Sequence, residues 1–353
     1  MADGANRTPA QTSEHAFLDR LCARLRATES TGTSGPGESA GGHPSRIAVG
    51  PGDDAAVVLP GVEPLALTTD AIVEGIHFRQ GWLSPEEIGA RAIAVSLSDL
   101  AAMGATPRWT LVAAIVPPGV TTAELDRILD GCAAASAESG AAMIGGNLSR
   151  GDALSLTVTA VGALEGPALE RRGASPGDRL VVTGTLGGAA AAVDVWLDGG
   201  EPSVALRQRF ARPQARLAAG RALARAGAHA AIDLSDGLLA DLGHLCAASG
   251  VGAVVERERL PRLAAVAVRD GAGSDFAANG GEDYELLAAL PPEIDDAALG
   301  ELAAACGVEL AVVGHCTAPA GGIRLVGPDG REHGPSRSGF DHFAPGPGRS
   351  RLR

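Results

Sequence analysis

Acidic residues recur in this sequence at places where apolar runs break. Asp53 and Asp54 sit in the turn GPGDD, Thr68, Thr69 and Asp70 close the run LALTTD, and Asp99 lies in SLSDL. Further on, Asp233, Ser235 and Asp236 fall in AIDLSDG, and Glu282, Asp283 and Glu285 in GGEDYELL. Any one such cluster reads first as a surface turn, because Asp and Gly favour turns for conformational reasons. Recurrence changes the reading. If Asp53, Asp54, Asp70, Asp99, Asp233, Asp236, Glu282 and Asp283 converged, they would repel one another unless cations lay between them. Mg2+ takes oxygen ligands and is commonly held by a few carboxylates together with phosphates. The chemistry such a site serves is phosphoryl transfer, where catalysis rests on positioning and charge neutralisation and needs no covalent nucleophile. No Ser-His-Asp or Cys-His pairing stands out as a competing site, and His77 and His244 lack partners at zinc-ligand spacing.

These side chains need elements to hold them. Short strands are expected at 46–49 and 55–59, on either side of the GPGDD turn, and at 65–69, which puts Asp70 at a strand end. Ser84, Pro85 and the two acids that follow start a helix over 84–103, with Asp99 about four turns in. A strand over 108–116, a helix over 121–139 capped by Thr121 or Thr122 with Glu124 near its start, a run over 142–144 leading into Gly145 and Gly146, and a strand over 154–164 follow. That order is α+β rather than a regular βαβ alternation. In the second half a strand over 179–183 meets glycines 184, 187 and 188 before a helix over 189–197. The glycine turn reads either as a phosphate cradle or as an ordinary strand-to-helix connection. A helix over 213–226 beginning at Pro213, a strand-to-helix junction over 230–243, a strand after Glu285, a helix over 292–306 and a strand over 310–315 complete the pattern. Leu97-Ser98-Asp99 and Leu234-Ser235-Asp236 repeat one tripeptide, as two similar half-domains bringing acids to one cleft would; chance repeats tripeptides as well.

At 353 residues and 45% hydrophobic content the chain can bury two cores. The expected division is a helix (14–28) and flexible Gly/Ser/Pro-rich loop within 1–45, domains at 46–165 and 166–343, and a disordered tail at 344–353. No apolar run approaches the ~20 residues of a membrane span, and the N-terminus carries no signal-like pattern, so a cytoplasmic protein without a membrane partner is expected. The net charge of −13 argues against nucleic acid as a partner, since a binder needs a clustered basic face. All 29 basic residues are arginine. Without lysine there is no Walker A loop, no protein-kinase third-strand lysine and no Schiff base. The five cysteines have no CxxC spacing, and Cys132, Cys246 and Cys306 read as small core residues.

Taken in order over residues 46–343, GPGDDAAVV, LTTDAIVEGIHF, AVSLSDLAAMGATPRW, AIDLSDGLLADLGHL, GGEDYELL and GFDHF resemble the thiamine-monophosphate kinases, in the superfamily that includes aminoimidazole ribonucleotide synthetase and selenophosphate synthetase. The resemblance implies an N-terminal mixed sheet with helices that dimerises through its sheet, a C-terminal α/β domain, and ATP bound between them with several Mg2+ ions. It implies a homodimer that phosphorylates thiamine monophosphate with ATP, the last step of making thiamine diphosphate. Residue by residue it implies metal ligands at Asp54, Thr68, Thr69, Asp70, Asp99, Asp233 and Asp236, with Asp70, Asp99 and Asp236 catalytic. ATP contacts fall on Gly146, Asn147, Arg171 and Ser235, and substrate contacts on His77, Glu282 and Phe340. One position departs from the family pattern. Where the family has Gly-Gly-Asp-Thr-Thr-Arg, this chain has Gly145-Gly146-Asn147-Leu148-Ser149-Arg150. Two alternatives stand beside this: another ATP-using enzyme of the superfamily, which would show a reactive Cys with a nearby Lys or a C-terminal Cys tail, neither seen here, or a non-catalytic nucleotide-binding homologue.

Overall fold

The computed structural model describes residue 17 and residues 20–25, 47–51, 55–270 and 275–333. Asp53, Asp54, Phe340, the loop expected over 29–45 and the tail from 344 lie outside the described residues, as does most of the helix expected over 14–28, of which 20–25 are helical (α1). The described residues form two compact units: one holds those up to Ser96 with Pro107–Ala163, the other Leu97–Thr106 with those from Leu164 to His333. No described helix is long and apolar enough to cross a membrane.

The N-terminal unit pairs β1 (Ile47–Val49) with β2 (Val57–Val58), and builds a mixed four-stranded sheet in the order β3-β6-β4-β5. Here β3 (Leu65–Val73) runs antiparallel to β6 (Ser155–Ala163), and β4 (Thr106–Val116) parallel to β5 (Ala142–Arg150). Two of these strands outrun the sequence reading. Asp70 is not at a strand end but inside β3, opposite Val158, because Ala71, Ile72 and Val73 continue the ladder with β6 beyond it. The run 142–144 extends through both glycines to Arg150, carried by its pairing with β4. Gly146 is required by that pairing, since a Cβ there would overlap the Val112 carbonyl oxygen. Helix α2 (Pro85–Ala102) begins as expected: Ser84 Oγ accepts from Glu87 N, and Glu87 returns a carboxylate to Ser84 N. Helix α3 (Thr122–Glu138) has the same reciprocal cap at Thr121 and Glu124. The two helices cross closely, Gly89 against the Ile128 carbonyl and Gly131 against the Glu86 backbone, so neither position has room for a side chain. Ile88, Ile93, Leu125, Ile128 and Cys132 join Ile72, Leu156 and Val158 among the buried residues.

The C-terminal unit is a seven-stranded sheet in the order β13-β12-β9-β11-β7-β10-β8. Its strands are β7 (Arg179–Thr183), β8 (Ala230–Asp233), β9 (Gly252–Glu256), β10 (Leu286–Leu290), β11 (Leu310–Thr317), β12 (Ile323–Val326) and β13 (Glu332–His333). Its strands pair antiparallel except β12 with β9, which run parallel. Side chains of the central strands alternate between two cores. Leu180, Val182, Ile232, Leu287 and Ala289 enter one with Leu238, Leu242 and Leu245 of α7 (Leu238–Ser249). Val181, Ala231, Leu286, Ala288 and Leu290 enter the other with Ala222 and Leu223 of α6 (Leu217–Arg225), Leu302 of α10 (Asp296–Cys306) and Ala101 from the end of α2. Between β7 and α6 lie α4 (Gly188–Leu197) and α5 (Val204–Ala211); α5 was not foreseen. Pro213 precedes α6 instead of starting it. Two further short helices, α8 (Ala264–Asp270) and α9 (Phe276–Asn279), precede the GGEDYELL segment. Cys132, Cys246 and Cys306 are all buried, and burial pushes the Cys132 thiol up to about 12, as befits core residues.

Candidate active site

In the C-terminal unit β8 delivers Asp233 to the end of a strand, and Leu234, Ser235, Asp236 and Gly237 turn the chain into α7. Gly237 has φ 112°, and a Cβ on it would press on Asn279, so the sharp turn depends on glycine. Asp241, in the first turn of α7, accepts the backbone N–H groups of Asp236 and Gly237, both at 3.0 Å, and fixes the loop from inside. Asp233 is buried and accepts from Ser98 Oγ at 2.8 Å. Burial, and then the neighbouring Asp99, push the Asp233 carboxyl up to about 6, against the pull of Ser98 and Arg171. Burial followed by repulsion from Asp233 and Asp236 lifts Asp241 to about 7. Burial and the neighbouring carboxylates thus act together against ionisation at this turn, and a cation would favour it.

The segment GGEDYELL runs beside this turn. Glu282 N donates to Ser235 O at 2.8 Å and Tyr284 N to Leu234 O at 2.9 Å. Its four polar side chains divide into three sets of contacts. Glu285 is buried and accepts from Thr183 Oγ1 (2.7 Å), Arg209 (3.1 Å) and both Nε and Nη2 of Arg216 (2.6 Å each). The Tyr284 hydroxyl donates to Glu282 Oε2 at 3.0 Å. Asp283 Oδ2 accepts from Gly187 N at 2.7 Å, at the start of α4. That contact decides between the two readings of the glycine turn at 184–188. Its N-terminal amides are taken by an internal carboxylate, so it is a strand-to-helix connection closed by Asp283 and not a phosphate cradle.

Burial pushes the Asp283 carboxyl up to about 8; the Gly187 N–H and Arg209 oppose this and Glu285 adds to it. The folded chain therefore holds this proton to about pH 8, while the unfolded chain releases it near the ordinary value of 3.8. Stability linked to Asp283 is complete below the unfolded value and is lost as pH rises through the folded one. The variant Asp283→Asn should gain stability relative to the natural protein between pH 5 and pH 8, measured as urea midpoints at the two pH values. An unchanged difference at both would remove the proton from Asp283.

In the N-terminal unit, Thr68 and Asp70 stand on one face of β3 and Thr69 on the other, where it meets Thr159. His77 accepts the Val73 N–H on Nδ1 at 3.1 Å, which leaves the proton of the neutral ring on Nε2. Asn147 lies on β5 with its amide joined to Ser149 Oγ at 3.0 Å. Asp54 and Phe340 cannot be located, being outside the described residues. Among the described residues no group of three or more His, Cys, Asp or Glu is already arranged to hold a metal ion. The donors nevertheless fit a hard divalent cation in kind, being carboxylate and hydroxyl oxygens, and Asp233 beside Asp99 carries the charge conflict that a cation would relieve.

The tripeptide repeat does not mark two half-domains. Leu97-Ser98-Asp99 is helical, Leu234-Ser235-Asp236 is a loop, and both belong to the C-terminal unit. Their link is direct, through Ser98 and Asp233. Sequence reasoning passed over Ser98, Asp241 and Tyr284. The repeat was the available signal for the first; Asp241, at helix position 4 after a strand-ending turn, carried a capping signal for the second.

The chain matches two family models: "AIR synthase related protein, N-terminal domain" over residues 52–164, and the corresponding C-terminal domain over residues 175–326. It is 41% identical to the thiamine-monophosphate kinase of Salmonella typhimurium, covering 84% of this chain and 93% of that protein. It is 36% identical to the enzyme of the same name from Mycobacterium tuberculosis, covering 79% and 80%. Among solved structures, thiamine-monophosphate kinase from Stenotrophomonas maltophilia K279a superposes with a TM-score of 0.75 at 37% identity, over 91% of this chain and 98% of that one. "AaThiL complexed with AMPPCP and TMP" superposes at 0.71 and 31% identity, over 82% and 91%.

Proposed function

The chain belongs to the thiamine-monophosphate kinase family of the AIR synthase related proteins, and from that premise we propose that it transfers the γ-phosphoryl group of ATP to thiamine monophosphate, giving thiamine diphosphate and ADP. The observation that carries the reading is the buried Asp233 at the end of β8, with Asp99 of α2 beside it and Ser98 Oγ on it at 2.8 Å, in a chain whose relatives are thiamine-monophosphate kinases.

In this reading an oxygen of the acceptor phosphate attacks the γ-phosphorus, and the bond to the bridging oxygen breaks, that oxygen leaving on ADP with the electron pair. The acceptor has its second pKa near ~6, so it is already largely dianionic at neutral pH and the protein need supply no general base. What it must supply is relief of repulsion between two phosphate chains. Several Mg2+ ions would provide it, held by Asp54, Thr68, Thr69, Asp70, Asp99, Asp233 and Asp236. Since the Thr69 side chain is on the far face of β3 from Asp70, its contribution would be through the backbone carbonyl. Arg171, exposed beside Asp233, offers a bidentate fork for phosphate in a chain without lysine, with Ser235, Gly146 and Asn147 completing the nucleotide contacts. His77 presents an Nε2 donor, Phe340 a flat face and Glu282 a carboxylate to the cationic, aromatic acceptor.

A cytoplasmic homodimer formed through the N-terminal sheet completes the proposal. Support comes from the face of that sheet opposite Asp70, where Leu67 is 68% and Ile115 is 41% exposed. ADP release from ATP, measured with and without thiamine monophosphate, tests the activity: turnover that ignores thiamine monophosphate would sink it.

Asn147 bears on whether the site works. An amide oxygen can bind a cation but brings no charge, so Asn147→Asp should reach half-maximal activity at a several-fold lower Mg2+ concentration with a similar saturated rate. A natural protein inactive at every Mg2+ concentration, with activity appearing only in Asn147→Asp, would favour a non-catalytic homologue.

A further inference from the structure

We propose that Tyr284 is a positioning residue for substrate recognition, its phenol holding the Glu282 carboxylate in the orientation that meets thiamine monophosphate; this rests on the function proposed above. Among the described residues, Glu282 (φ 74°) and Tyr284 (φ 52°) are the only non-glycine residues with left-handed backbone. Each such residue costs on the order of 1 kcal/mol or more, and the conformation persists only where the surroundings over-determine it. Here the surroundings are Leu234 and Ser235, whose carbonyls accept the N–H groups of Tyr284 and Glu282. The strained pair is thus pinned to the loop that carries Asp236.

The strain has a visible product. With Asp283 between them in the sequence, Glu282 and Tyr284 turn their side chains together, so that the phenol reaches Glu282 Oε2 at 3.0 Å, while Asp283 turns away to the start of α4. Both residues are buried, Glu282 at 7% and Tyr284 at 6% exposure. The phenol brings a hydrogen-bond donor to the buried carboxyl without adding charge. Tyr284 is the only tyrosine in the chain. Its ring fills the buried space that phenylalanine would fill equally well, which separates the packing role of the ring from the directing role of the hydroxyl.

The test is a double-mutant cycle on full-length protein: the natural chain, Tyr284→Phe, Glu282→Gln and the double variant. The dissociation constant for thiamine monophosphate is measured by calorimetric titration in the presence of a non-hydrolysable ATP analogue, along with KM for both substrates, kcat and the melting temperature. Tyr284→Phe is expected to weaken thiamine monophosphate binding about tenfold, the scale of one hydrogen bond to a charged group, with KM for ATP, kcat and melting temperature little changed. In the Glu282→Gln background it should add nothing. Unaltered binding in Tyr284→Phe overturns the proposal. So does an equal loss in both backgrounds, or a lowered melting temperature with both KM values raised, either of which assigns the phenol a structural role. A natural chain that binds thiamine monophosphate without turning it over would defeat the proposed activity while leaving the cycle readable, so the two failures are distinguishable.

Discussion

Asp70→Asn is expected to lower kcat by at least about a thousandfold, equivalent to about 4 kcal/mol in the transition state, while the protein stays folded. The side chain stands half-buried on β3, on the face it shares with Thr68. Asparagine has nearly the same shape, and the β3–β6 ladder is held by backbone groups that the substitution leaves alone. What changes is one negative charge on that face of β3. If Asp70 ligates cations, that loss weakens charge neutralisation where the transition state needs it most. The check is single-condition turnover at saturating Mg2+ with the melting temperature measured alongside; near-normal turnover would refute the ligand role.

The second large effect is on stability. Glu285→Ala should destabilise the C-terminal unit by about 3–5 kcal/mol, the usual cost of removing one partner of a buried ion pair. Glu285 is 1% exposed and gathers Thr183, Arg209 and Arg216. Arg216 is itself only 13% exposed, so truncation strands a guanidinium away from water with its best partner gone. Thr183 also donates no longer, although its oxygen still accepts from Leu286 N. A shift of the urea midpoint near that of a surface substitution would show that solvent reaches both arginines. Glu285→Gln, which fills the same volume and keeps one acceptor oxygen while turning the other into a donor that faces donors, should lose less than the alanine variant.

Much of this architecture was legible in the sequence where one local signal settled the matter. Ser84 and Thr121 announced helix starts because a hydroxyl followed three residues later by Glu makes a reciprocal cap whatever the surroundings. Asp233 and Asp236 were placed correctly at a strand-to-helix junction because the apolar run before them and the helical spacing after them both end there. The failures share a different cause. Asp70 was set at a strand end because an acid interrupts an apolar run, yet the pairing partner β6 continues past it. The expected run over 142–144 stops short of the two glycines of β5, but Gly146 is demanded by the approach of the β4 backbone, a neighbour more than thirty positions earlier. Ser98, Tyr284 and the capture of the α4 N-terminus by Asp283 were hidden for the same reason: each acquires its meaning from a hydrogen bond to another part of the molecule or to a residue whose strained backbone no propensity foretells.

The alternation of β7, β8 and β10 between two cores has a consequence for how their alignment is specified. A strand buried on one side can slip by two residues and still present apolar groups inward; here any slip must satisfy two differently shaped interiors at once. Moving β10 by one residue against β7 would send Leu286, Ala288 and Leu290 into the space fitted to Leu287 and Ala289, and the reverse on the opposite side. A two-residue slip would keep the sides but take Glu285 from Thr183 and the two arginines. The buried carboxylate thus acts as an index mark at the end of the strand, rejecting the one misalignment that hydrophobic packing alone would tolerate, and so keeps Glu282 and the Asp233–Asp236 loop at a fixed offset from each other.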